Sequence, residues 1–282
     1  MFRFFTILIS LLYTIAANGH ELKAHRSQVA GSYNFWMYEP DSALTAPKPL
    51  VIFLHGASLC GNNLERVRHY GTIDAIERGR HIDSYVIAPQ NPGGSWSPAK
   101  IMKLVEWAYQ NHNIDTTRLY VIGMSLGGYG TLDFVATYPD KVAAAMAFCG
   151  GATAKNLESL GEVPLWIVHG TADRAVGVSE SDRVVQAIRQ SPSRGSRLLY
   201  NRVAGMNHGH PARFFYLQDT YDWLFSHNIL QEGRPVSEAF NITEKSKNAY
   251  TNLTHTPRPK KTKPSKKRKS KKRTRTHRTS RR

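Results

Sequence analysis

Apolar residues gather into short runs along this chain, and the runs are separated by segments with a longer, helical repeat. "YNFWMYEP" and then "PLVIFLHG" read as strands, the second apolar throughout, as a strand covered on both faces must be. Comparable runs recur at "SYVIAP", "RLYVIG", "VAAAMAFCG", "PLWIVHG" and "RLLYNRVAG". Between them, 64–78, 102–110, 130–138 and 179–189 carry apolar residues at helical spacing. Phe214 to Phe225 adds a closing helix rich in aromatics. Strands alternating with helices over this length predict an α/β fold, a mostly parallel sheet with helices on both faces.

The pattern changes at both ends. "MFRFFTILISLLYTIAANGHELK" has one Arg, then an uncharged stretch from Phe4 to Ala17, then polar chain. That order predicts a secretory signal peptide over 1–19, too short for a comfortable membrane span, with Ala17 and Gly19 placed for cleavage before His20. An uncleaved anchor or a buried first strand are the alternatives. Export to a periplasm, a cell surface or the medium follows from the signal reading, and no other stretch is apolar and long enough to cross a membrane.

At the other end apolar residues thin out from Gln231, so the folded domain is expected over 20–230 and a disordered, strongly basic tail over 231–282. The formal net charge of +17 belongs to that tail: Thr256 to Arg282 holds 15 Lys or Arg and no acid, leaving 23 basic against 21 acidic residues elsewhere. Such a run binds an anionic surface or polyanion electrostatically. With no interleaved aromatics to stack on bases, sequence-specific nucleic-acid recognition is not expected. Asn241 and Asn252 begin Asn-x-Thr glycosylation sequons. Cys60 and Cys149 are too few for a disulfide framework; export would let them pair, and two buried thiols is the plainer alternative.

Candidate chemistry starts at "YVIGMSLGGYG", where an apolar run stops at Ser125 between Gly123 and Gly127. Gly-x-Ser-x-Gly fits a sharp strand-to-helix turn that leaves the serine exposed. A serine hydroxyl is a poor nucleophile at neutral pH and needs an imidazole to take its proton. Asp173 follows the run "PLWIVHG", where a carboxylate can orient that imidazole, and "VAGMNHGHPARFF" supplies His208 in preference to His210. Ser, Asp, His is the chain order of the α/β-hydrolases. The His-x-His pair also raises metal binding, but no Cys, Asp or Glu accompanies it in that loop, so no metal and no cofactor are expected. Backbone N–H groups should hold the oxyanion: Leu126 directly after the serine, and Ala57, with Ser58 as alternative, in "LHGASLCGNN". Trp96, in the loop "APQNPGGSWSPAK", is a candidate substrate-stacking residue or else a cap on the core.

"PLVIFLHGASLCGNN", "VIAPQNP", "GMSLGGYGTLDFVATYPDKVAAAMAFCGG", "PLWIVHGTADRAV" and "GMNHGH" together resemble the single-domain esterases of the α/β-hydrolases, the phospholipase/carboxylesterase-like and predicted-peptidase group. The chain is also similar to secreted feruloyl and acetyl esterases acting on plant polysaccharides. The resemblance runs from about Tyr33 to His227 and implies an α/β-hydrolase fold without a separate lid domain. It implies Ser125, Asp173 and His208 as nucleophile, acid and base. Relatives usually have a tryptophan after the histidine loop, where this chain has Pro211 and Ala212, which weakens any carry-over of substrate preference.

The expected function is therefore a secreted serine esterase, with acyl groups on polysaccharides as a candidate substrate. A serine peptidase of the prolyl-oligopeptidase type is the alternative within hydrolases, although those enzymes usually carry a gating domain. A polyanion-binding protein acting through its basic tail is the alternative from another class.

Overall fold

The computed structural model describes residues 21–254 apart from 42, 44 and 191–194. The expected signal peptide and the basic run from Thr256 onward lie outside the described residues.

The strands are β1 (Glu21–His25), β2 (Phe35–Glu39), β3 (Lys48–Leu54), β4 (Tyr85–Pro89), β5 (Ile114–Met124), β6 (Ala144–Phe148), β7 (Leu165–Gly170) and β8 (Leu198–Val203). They form one 8-stranded sheet in the order β1-β2-β4-β3-β5-β6-β7-β8. β4, β3, β5, β6, β7 and β8 pair in parallel, and β1 and β2 add an antiparallel edge. The helices are α1 (Thr72–Glu77), α2 (Pro98–Asn111), α3 (Leu126–Thr137), α4 (Ser179–Arg189), α5 (Gln218–Phe225) and α6 (Ile242–Lys245).

Alternation along the strands feeds two cores. Leu50, Ile52 and Leu54 of β3 face a layer that holds Leu104 of α2, Phe134 of α3 and Val184 of α4. Val51 and Phe53 face the opposite layer, with Ile73 of α1 and Tyr221 and Trp223 of α5. Full burial of one such side chain is worth about 1.5–3 kcal/mol, so stability is distributed over both layers.

Several elements differ from what the sequence pattern suggests. β1, "ELKAH", is a largely exposed edge strand without apolar alternation. The helix expected over 64–78 splits into a 3₁₀ turn (Leu64–His69) and α1, because Gly71 takes φ 95° and a side chain there would overlap the Phe53 ring. The closing helix is likewise a 3₁₀ turn (His210–Tyr216) followed by α5; Thr220 Oγ and Tyr221 Oη donate to the carbonyls of Phe214 and Phe215 at the break.

The folded domain does not stop at 230. Residues expected to belong to the tail pack onto it, burying Phe240, Ile242 and Ala249. Phe240 lies 4.9 Å from Trp166, ring to ring, and Trp223 Nε1 donates to Ser237 O. Asn241, the first sequon residue, caps α6 by accepting the N–H groups of Thr243 and Glu244. Among the described residues no helix is long and apolar enough to cross a membrane.

Candidate active site

β5 ends at Met124 and α3 begins at Leu126, so the whole change of direction falls on Ser125, at φ 58° and ψ −122°. A non-glycine residue is seldom held there, and the cost of order 1–3 kcal/mol is sustained by its surroundings. Ser125 N–H donates to Phe148 O on β6 at 2.9 Å. Gly127 lets α3 press onto the end of β3, since a Cβ at that position would overlap the Leu54 carbonyl.

Asp173 sits just past β7 with its side chain fully buried. Its Oδ1 accepts the N–H groups of Ala175 and Val176 at 2.8 and 2.9 Å, and its Oδ2 lies 2.7 Å from His208 Nδ1. Burial alone would raise the carboxyl pKa; the bonds from Val176, His208 and Ala175, with the charge of His208, outweigh it and hold the group below its ordinary value. His208 comes from the loop after β8 and places Nε2 3.0 Å from Ser125 Oγ. The structure thus joins Ser125, His208 and Asp173 in one hydrogen-bonded chain across residues far apart in sequence.

Sequence reasoning missed the support behind this chain. His169, at the end of β7 and fully buried, places Nε2 3.0 Å from Val176 O and 3.3 Å from Asp173 Oδ2. Its Nδ1 is 2.8 Å from Ser181 Oγ, which itself reaches Gly150 O at 2.7 Å. The residue had been legible only as part of an apolar strand.

Leu126 opens α3, so its N–H has no partner within the helix, and both Leu126 and Ala57 line the cleft beside Ser125. Gly56 N–H is committed to Tyr70 Oη at 2.8 Å, which leaves the following residues of that loop, Ala57 and Ser58, at the cleft wall.

Trp96 does not line the cleft in which Ser125 lies. It is buried, its Nε1 donates to His55 O at 3.2 Å, and its ring packs edge-on to Tyr33 and His55. It caps the core, and the stacking role is withdrawn. His210 also points elsewhere, its Nε2 2.9 Å from Ser246 Oγ.

The expectation that His208 has no metal-ligating neighbours looked only along the loop. Folding brings the ligand atoms of Cys149, Asp173 and His208 within 4.8 Å of one another. Two of these groups are engaged with each other, and the thiol faces a backbone carbonyl. Burial pushes the Cys149 thiol far above its ordinary pKa, and its Sγ lies 3.7 Å from His208 O. His208 Nδ1 is already taken up by Asp173. Cys60 and Cys149 are both free thiols.

The cleft has a volume of about 1110 Å³. Its wall also includes Arg78, Tyr216 and Tyr250, the last from the segment expected to be tail.

The architecture is that of the α/β-hydrolases. Within it, residues 97–209 match the dienelactone hydrolase family. The chain is 29% identical over 139 residues to poly(3-hydroxyalkanoate) depolymerase C of Paucimonas lemoignei, covering 43% of this chain and 32% of that protein. It is 28% identical over 174 residues to a bifunctional acetylxylan esterase/xylanase of Neocallimastix patriciarum, covering 58% and 25% respectively. The chain therefore spans a third or less of these two relatives. A thermostable esterase of known structure superposes with a TM-score of 0.61 at 24% identity, covering 74% of this chain and 63% of that one.

Proposed function

We propose that this chain is a serine esterase that hydrolyses carboxylic esters through an acyl-enzyme on Ser125. The observation that carries the reading is the hydrogen-bonded chain from Ser125 Oγ through His208 to a buried carboxylate, opening on a cleft. His208 Nε2 takes the hydroxyl proton as Oγ attacks the ester carbonyl. The N–H groups of Leu126 and Ala57 receive the oxyanion. Asp173 keeps the proton on Nδ1 and stabilises the imidazolium. Collapse of the tetrahedral adduct breaks the ester C–O bond, and the imidazolium gives its proton to the departing alcohol. Water, deprotonated by His208, then adds to the acyl-enzyme and releases the acid and free Ser125.

The relatives named for cleaving polyesters and acetylated xylan support an ester on a polymer, and acyl groups on polysaccharides are the substrate class we favour. The signal-like N-terminus supports action outside the cytoplasm, and the basic run of the tail supports retention at an anionic surface. The test is a panel of acetyl, butyryl and feruloyl esters beside a peptide-amide substrate. Hydrolysis of at least one ester with burst kinetics supports the reading, and cleavage of the amide alone would replace it with a peptidase.

A further inference from the structure

The cleft that holds Ser125 is also lined by residues that acyl transfer does not use. Arg78 stands at the C-terminus of α1, its guanidinium carbon 5.5 Å from the Tyr216 ring centre and 5.8 Å from that of Tyr250. Its buried Nε lies 2.9 Å from Asp74 Oδ2, and the side chain, 14% exposed, lines the cleft. The same carboxylate accepts from Tyr216 Oη at 2.6 Å, which fixes that ring. A second guanidinium, of Arg213, lies 5.8 Å from the Tyr250 ring centre. Arg78 thus stands beside both tyrosines and Arg213 beside Tyr250.

Tyr250 is held in place by a strap over 241–254. Ser246 Oγ meets His210 Nε2, Ser246 O accepts from Arg213 Nη1 at 3.2 Å, and Lys245 pairs with Asp219 at 2.9 Å. Thr254 N–H donates to Arg78 O at 2.9 Å, so the strap ends on the residue that lines the cleft. The first of the 15 Lys and Arg of 256–282 is Arg258, four residues on. The most cationic part of the sequence thus follows directly on the strap whose Tyr250 lines the cleft.

A guanidinium is planar and always charged, the side chain best matched to a carboxylate, and tyrosine faces beside it suit a flat or ring-shaped group. We propose that Arg78, Tyr216 and Tyr250 form a subsite, in the same cleft as Ser125, for a carboxylate-bearing group of the substrate, so that the substrate is an ester on an anionic polysaccharide. The subsite deepens the esterase reading and rests on it.

Two matched pairs of small esters test it with the full chain. On the acyl side, 4-nitrophenyl butyrate is compared with the 4-nitrophenyl half-ester of succinic acid. On the alcohol side, methyl 4-acetoxybenzoate is compared with 4-acetoxybenzoate. In one pair the anion should be favoured by about tenfold or more in kcat/KM, Arg78→Gln should abolish that ratio, and Arg78→Lys should restore part of it. No preference in either pair, or a preference that Arg78→Gln leaves intact, overturns the subsite. If none of the four is cleaved, the esterase reading is decided by the acetyl, butyryl and feruloyl panel, and the subsite is judged by ligand-observed NMR with uncleavable succinamate and butyramide. Succinamate should bind about tenfold more tightly, with the difference lost in Arg78→Gln; equal binding overturns the assignment.

Discussion

His169 Nε2 lies 3.3 Å from Asp173 Oδ2, both side chains fully enclosed by protein. Burial lowers the His169 pKa, so the ring carries one proton. Two acceptors, Val176 O and the Asp173 carboxylate, face Nε2, and the proton belongs there. Ser181 Oγ then donates to Nδ1 in alternation with Gly150 O. The loop carrying Asp173 is thereby tied to β6 and α4. His169→Asn should lower kcat roughly tenfold with KM unchanged, since it loosens the carboxylate that orients His208 without touching the cleft. Steady-state kinetics on a small acetyl ester check this, and an unaltered kcat in the folded variant would count against the role.

Acid should destabilise the protein through His55. Its complete burial, with Arg66 as a lesser cause, pushes its pKa down to about 4 despite the bond to Gly56 O. Nδ1–H donates to Gly56 O at 2.8 Å and Nε2 accepts Asn91 N–H at 3.1 Å, so protonating Nε2 breaks the second bond. The unfolded chain takes up this proton near pH 6.5 and the folded chain only near pH 4. Stability from this group is therefore fully present above pH 6.5 and falls by about 3 kcal/mol as pH drops toward 4. Burial lowers His25, His112 and His227 as well, adding to the same trend. Urea unfolding at pH 7 and pH 4.5 should show a smaller pH dependence in His55→Gln than in the parent; an equal dependence would assign the effect elsewhere.

Two truncations should behave differently. A chain ending at Thr254 keeps every contact of the strap, and its melting temperature should match that of the full chain. A chain ending at Leu230 loses the burial of Phe240 and Ile242, worth about 3–6 kcal/mol together, and exposes the face of Trp166. Thermal melts of the two decide it: equal stability would mean that 231–254 adds nothing to the domain.

What the sequence made legible was whatever repeats locally. Buried strands are continuous apolar runs because both faces are covered, so β3, β5 and β7 stood out. β1 did not, since an exposed edge strand need not alternate. Trp96 misled because a tryptophan among glycine, serine and proline looks exposed; its burial depends on distant partners, Tyr33 and the small Gly130, where a Cβ would overlap the indole. The segment 231–254 misled for the converse reason: apolar residues spread through polar chain suffice when a few of them, here Phe240, Ile242 and Ala249, are buried. Ser125, Asp173 and His208 were marked by their positions just after apolar runs, whereas His169, Cys149 and Arg78 reach the site by packing alone.

The two histidines of the loop after β8 should separate cleanly. His208 touches both Ser125 and Asp173, whereas His210 bonds to the strap through Ser246. His208→Ala should cost roughly 10⁴-fold or more in kcat, and His210→Ala far less. Kinetics on one ester suffice, and comparable losses would reverse the assignment.

The central claim is that Ser125, with its backbone held at φ 58° and its hydroxyl 3.0 Å from His208 Nε2, forms the covalent intermediate. The most direct measurement is reaction of the folded protein with a fluorophosphonate, followed by intact-mass and peptide-mapping mass spectrometry. The account predicts a single adduct on the peptide containing Ser125, absent in Ser125→Ala and greatly slowed in His208→Ala. An adduct on another residue, or one that persists in Ser125→Ala, would contradict it.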